Sequence, residues 1–158
     1  MRHSIVIQTC IFAFGALGCA SGRGAVPPID AVALSAVTSV YLGDFGSEDG
    51  ASLIKERVRL GLAAGNHFKI VESASVADAI LLGAVSIQKE NANGEVNYSG
   101  SGILHLVQRA TQKMIWAHEY RDRRWIAPPT ETNRAAVAAR VANQMVDDLS
   151  KSTENKHP

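Results

Sequence analysis

His105 and His118 fall in two neighbouring segments whose alternation suits extended chain. A two-residue turn at Thr111-Gln112 pairs Val107 with Trp116 and sets His105 opposite His118, half of a metal site with no third ligand evident. In a register shifted by one residue, His118 faces Leu104 instead and both are ordinary strand histidines. Gly43-x-x-Gly46 has the outline of a phosphate loop between a strand and a helix, but it lacks the Gly-Lys-Ser/Thr ending. Asp44, Glu48 and Asp49 would also repel a phosphate from that helix N-terminus, so a turn and helix cap is the simpler expectation. Ser99-Gly100-Ser101-Gly102 offers hydroxyls without a base at a defined spacing and is expected to be a strand entry or bulge. No nucleophile elbow, His-Glu-x-x-His helix or paired carboxylates occur. The expectation is a protein without enzymatic activity, and with no catalytic, cofactor-binding or metal-binding residues.

Two other constellations point to attachment. Arg121-Asp122-Arg123-Arg124-Trp125 combines arginines with an aromatic where a strand runs out toward Pro128-Pro129. Arg and Trp are the types most enriched at interface hot spots, so Arg121, Arg123, Arg124 and Trp125 are the candidate partner surface. Against it stands a solvated hairpin end with Trp125 tucked onto the core. Cys19 closes an apolar N-terminal run in Ala16-Leu17-Gly18-Cys19. That run has the parts of an export signal: Arg2 at the start, an apolar stretch from Ile5 to Leu17, and small residues at the cut. It falls short of the roughly 20 apolar residues of a membrane span.

The junction resembles the lipobox of bacterial lipoproteins, in which the cysteine after the cleaved signal is acylated, with palmitate among the usual chains. The typical motif has Leu where this chain has Ala16, and ordinary secretory cleavage fits Ala16-Leu17-Gly18 as well. Cys10 lies inside the segment to be removed, so Cys19 has no thiol partner within the mature chain. Each buried methylene contributes about 0.8 kcal/mol, so several acyl chains hold a protein on a bilayer where one does not. Without Arg2, fifteen basic residues face fifteen acidic ones. No strong positive field draws nucleic acid or anionic lipid to such a surface.

The expected order is a signal peptide over 1–18, a lipid-anchored flexible spacer over 19–36, one α/β domain over 37–150 and a disordered tail over 151–158. Val37 to Leu42 and Phe68 to Val71 suit strands. Between them, Ile54, Val58 and Leu62 repeat at helical spacing, with Asp49 or Ser47 as cap and Gly65-Asn66 as stop. Ala79 to Ile87 is nearly all apolar, as in a central strand covered on both faces, and Lys89 to Asn97 is a polar loop. Tyr98–Gln108 and Lys113–Arg121 form a hairpin. Thr130 or Thr132 caps a last helix to Ser150 whose stripe is Val137, Val141, Met145 and Leu149. The fold class is α+β, in two layers: a mixed sheet of about five strands with two main helices packed on it.

Val40-Tyr41-Leu42-Gly43-Asp44-Phe45, Phe68-Lys69-Ile70-Val71-Glu72, Ala77-Asp78-Ala79-Ile80-Leu81-Leu82-Gly83, and Leu104-His105-Leu106-Val107 through Lys113-Met114-Ile115-Trp116 form one ordered set. Together they resemble the small α/β domain of envelope lipoproteins that include the curli-secretion lipoprotein and the penicillin-binding-protein activators, and of the amino-terminal domain of TolB. The likeness covers Thr38 to Leu149. Such relatives have a Thr-Gly-Lys-type turn before the tryptophan strand, whereas Thr111-Gln112-Lys113 lacks the glycine, so Gln112 takes that place at some conformational cost. The extra hairpins of a pore-forming relative have no counterpart. The resemblance implies an accessory protein anchored by lipid in the bacterial envelope, at the periplasmic face of the outer membrane, that binds or positions a protein partner in cell-surface or cell-wall assembly. The alternative is a soluble periplasmic module that takes a small ligand or cell-wall fragment. Neither the partner nor the oligomeric state is legible in the sequence.

Overall fold

The computed structural model describes residues 30–92, 95–122 and 131–154. A five-stranded mixed sheet carries its helices on one face. In chain order the elements are helix α1 (Ala31–Ser35), strand β1 (Ser39–Leu42), helix α2 (Ala51–Gly65), strand β2 (Lys69–Ile70), a 3-10 turn (Ala74–Val76), strands β3 (Ala79–Ala92), β4 (Glu95–Gln108) and β5 (Lys113–Asp122), and helix α3 (Glu131–Glu154). Across the sheet the order is β2-β1-β3-β4-β5, with β1 parallel to β2 and β3 and the remaining pairs antiparallel.

The helices form where apolar residues recur every third or fourth position. Ile54, Val58 and Leu62 of α2 are buried, as are Val137, Ala138, Val141, Ala142, Met145 and Leu149 of α3. They close over Val40, Leu42, Leu81, Val85, Leu104, Leu106 and Trp116 of the sheet to make the core. Helix α3 crosses β4 at Gly100, where an added Cβ would stand 2.6 Å from Val141 Cγ2 and 2.9 Å from Val137 Cγ1. The Ser-Gly-Ser-Gly segment is therefore mid-strand, neither a strand entry nor a bulge, and its glycine lets the helix approach. The bulge lies further on, at Leu106/Val107.

Other boundaries also differ from the sequence expectation. Residues 89–97 are not a polar loop: β3 and β4 stay in register as far as Ala92↔Glu95. Lys89 to Ala92 and Glu95 to Asn97 carry no apolar alternation in sequence, and the strand pairing extends through them without it, so the pattern hides the ribbon. Within the expected spacer, Asp30 Oδ1 accepts the Ala33 N–H at 2.9 Å and starts α1, whose Leu34 is 1% exposed. Five residues are too few to show a period. Helix α3 runs on through Glu154, past the expected end at Ser150. Thr132 lies inside it, and Thr130 falls outside the described residues.

The cap of α2 also differs. Gly50 (φ 78) holds that place with no side-chain hydrogen bond, and the Asp49 carboxylate instead takes a hydrogen bond from Arg134 of α3. At the other end Asn66 (φ 56) supplies the left-handed stop.

Candidate functional site

Covering β3 on both faces would need a third layer, and no described element provides one. Ala79, Leu81, Val85 and Ile87 point into the core, whereas Ile80, Leu82, Ala84 and Ser86 lie on the opposite face. There they join Tyr41 of β1 and Ile103, His105 and Val107 of β4, all half-buried or exposed, with Ile103 49% exposed. The expectation of a two-sided cover is thus corrected. An apolar run can belong to a strand with one open face, and periodicity alone does not separate the two cases. Sequence reasoning missed this face because its apolar residues look identical to core.

β5 forms the rim of that face. Arg121, the candidate interface residue within the described part, is exposed and donates through Nε to Glu119 Oε1 at 2.8 Å. Arg123, Arg124 and Trp125 lie outside the described residues, as does Cys19. Toward the helices, Trp116, His118 and Tyr120 make a ladder under α3. Trp116 is buried and donates Nε1–H to Ser152 Oγ at 3.0 Å. His118 Nδ1 stands 3.4 Å from Asp148 Oδ2, and its ring lies 4.7 Å from that of Tyr120. The Tyr120 hydroxyl is buried without a hydrogen-bond partner among the described residues. Burial, and then the nearby Asp148 charge, push its ionisation far above the usual phenol range.

The histidines do not face each other. His118 pairs with Leu104 and His105 with Ala117, the shifted register, because the turn spans four residues between Gln108 and Lys113 in place of the two-residue turn at Thr111-Gln112, and Ile115 then adds one residue to β5 as a bulge. Successive strand residues then put the two imidazoles on opposite faces. Among the described residues no three His, Cys, Asp or Glu side chains cluster to hold a metal. Gln112 occupies the left-handed position (φ 56) left without a glycine, steadied by Gln112 N–H to the Gln108 carbonyl at 2.9 Å and Thr111 Oγ1–H to Gln108 Oε1 at 2.7 Å.

The Gly43–Gly50 loop serves as a strip along the β3 edge. Gly83, Val85 and Ile87 donate their N–H groups to the carbonyls of Asp44, Phe45 and Asp49 at 2.8, 3.2 and 2.7 Å, while buried Phe45 plugs the core. A recess of about 250 Å³ sits among Leu34, Val37, His67, Phe68, Thr153 and Glu154. That is below the ~300 Å³ at which pockets for drug-sized ligands begin.

Asp78 had no role assigned from sequence, and it fastens the start of β1 to the start of β3. Its Oδ2 accepts from Thr38 Oγ1 at 2.7 Å, Thr38 N at 3.0 Å, Ser39 N at 2.9 Å and Ser39 Oγ at 2.9 Å. The Thr38 side chain foremost, then its N–H and the Ser39 groups, hold the carboxyl well below the usual range. Its signal was Thr38-Ser39 forty residues before an Ala-Asp-Ala step, too far apart to connect without the topology.

No helix among the described residues is long and apolar enough to cross a membrane. No protein-family model matches the sequence, and no curated protein matches it. Solved structures do match in fold. PelC of Paraburkholderia phytofirmans, a dodecamer, superposes with a TM-score of 0.56 at 13% identity, over 72% of this chain and 87% of that one. A minor lipoprotein of Acinetobacter baumannii gives 0.57 at 14% identity over 73% and 94%. A DUF330 protein of Xanthomonas campestris gives 0.54 at 8% identity over 73% and 82%. At such identities the likeness is one of fold alone. This chain carries an α+β fold that bacterial lipoproteins share.

Proposed function

We propose that this chain is a non-enzymatic lipoprotein of the bacterial envelope, anchored through Cys19, that binds or positions a protein partner in cell-surface or cell-wall assembly. The open sheet face carries this reading. Monomeric proteins seldom leave contiguous apolar surface uncovered without a use for it, and Tyr41, Ile80, Leu82, Ile103 and Val107 lie together on one wall. Arg121, on the rim of that face, belongs to the proposed contact together with Arg123, Arg124 and Trp125, which follow it in the sequence.

The fold shared with lipoproteins supports the anchor, as does the path of the chain. Asp30 enters beside β5, its N–H bonded to the Ile115 carbonyl at 3.0 Å. The residues from Cys19 to Asp30 can span at most about 36–40 Å, so the domain works close to the bilayer. The curli-secretion, penicillin-binding-protein activator and TolB group remains the finer affiliation proposed. PelC, which has this fold, is a dodecamer, and that supports including self-association among the partners.

Crosslinking in intact cells, followed by pull-down, tests the proposal. Ile103→Asp and Leu82→Asp, on the open face, and the combined Arg121, Arg123, Arg124 and Trp125 alanine variant should each lose wild-type partners while staying folded. An unchanged partner set in all of them removes the proposed surface.

A further inference from the structure

β5 is an edge strand among the described residues, and no described residue pairs with the second half of its outer edge. The Asp30 N–H reaches the Ile115 carbonyl on the side away from β4. Across a trans peptide a carbonyl and the following N–H point in opposite directions, so the Trp116 N–H faces β4. Strand alternation then turns both backbone groups of Ala117, Glu119 and Arg121 outward. Among the described residues none of these groups has a partner, because β5 pairs with β4 alone. Long open edges are usually capped, shortened or guarded by charge, since they invite another strand.

The charges on this edge select that strand. Glu119 and Arg121 stand two residues apart with side chains on the open face, one of each sign. A like-charged pair would repel a second copy, whereas this pair is complementary to itself. We propose that the β5 edge pairs antiparallel with the β5 edge of a second copy of this chain about a two-fold axis at Tyr120, setting Glu119 opposite Arg121 of the second copy. This rests on the partner-binding reading above and names one partner and its surface.

The register follows from what the alternatives do. With the axis at Glu119, two glutamates stand directly opposite, which is destabilising. With the axis at His118, Ile115 falls opposite Arg121, and the Ile115 carbonyl is already taken by Asp30. With the axis at Tyr120, each Glu119 and Arg121 trades its ion pair within the strand for one across it, and their outward N–H and C=O groups pair. The contact is isologous, each patch meeting itself.

The layers fit as well. Helix α3 packs on both β4 and β5. Strands about 4.8 Å apart bring α3 of the two copies to about 10 Å, the spacing of packed helices. The two open faces then continue as one surface. Balanced charge raises no long-range repulsion between copies, and tethering to one bilayer raises their effective concentration.

Sedimentation equilibrium of the full mature chain in detergent micelles tests the pairing. Wild type is expected to show a concentration-dependent monomer–dimer equilibrium. Glu119→Arg and Arg121→Glu should each weaken it roughly tenfold, since the symmetry turns both cross-strand attractions into repulsions. Mixed together, the two variants are complementary and should form a heterodimer as tight as wild type, which a merely misfolded chain cannot do. A wild type that stays monomeric throughout, single variants that dimerise like wild type, or a mixture that does not recover each overturns the proposal. Loss of envelope partners in crosslinking without loss of the dimer separates the two readings.

Discussion

Replacing Asp78 with Asn isolates the charge of the carboxylate that fastens β1 to β3. The amide keeps an oxygen for Thr38 and Ser39, so shape and most contacts survive and only charge assistance is lost. Four donors converge on Oδ2, yet one oxygen has two lone pairs, so they share it and their contributions do not add. Charged acceptors make hydrogen bonds worth about 1.5–3 kcal/mol against about 1 for neutral ones, and solvent around this exposed site reduces the difference. Asp78→Asn should therefore destabilise by about 1–2 kcal/mol at pH 7.

The sign of the pH dependence follows from the lowered folded pKa. The stabilisation is fully present above the unfolded carboxylate value near ~3.9 and is lost as pH falls through the folded value. Between pH 7 and pH 3 the gap between wild type and variant should narrow by about 1 kcal/mol. Urea titration of both proteins at the two pH values measures this. An equal gap at pH 3 and pH 7, or none at pH 7, refutes the role given to the charge.

Two further substitutions probe the face under α3. Tyr120→Phe removes a buried hydroxyl that lacks a partner among the described residues. It should leave stability unchanged or raise it by up to about 1–2 kcal/mol in thermal melts, and a clear loss would mean the hydroxyl is satisfied. Gly100→Ala places a methyl 2.6 Å from Val141 Cγ2 and should cost about 1–3 kcal/mol through overpacking, read by the same melts; an unchanged melt would mean that α3 does not pack on Gly100.

Much of the fold was legible because it depends on period and size. The α2 and α3 stripes, the β4–β5 hairpin and the strained Gln112 turn all follow from residues close in sequence. What escaped depended on distance or on water. The ribbon at 89–92 and 95–97 has no apolar face to announce it, and α1 rests on one leucine and one aspartate. The shifted register of His105 and His118 turns on a four-residue turn between Gln108 and Lys113 together with one extra residue at Ile115, and a single-residue slip moves every side chain to the other face. The open face was written in the sequence as Ile80 and Leu82 but indistinguishable from core, and the clasp at Asp78 exists only once β1 and β3 lie side by side. Of the candidate site, Arg121 takes its place on the exposed rim, while Arg123, Arg124, Trp125 and Cys19 lie beyond the described residues.

The most direct test of the account is fatty-acid labelling of the chain in a bacterial host, wild type beside Cys19→Ala. The anchored reading predicts that labelled palmitate is incorporated into the wild type, which sediments with membranes. It predicts that the Cys19→Ala protein is unlabelled and leaves them. A wild type that takes up no label, or a Cys19→Ala protein that still does, contradicts it.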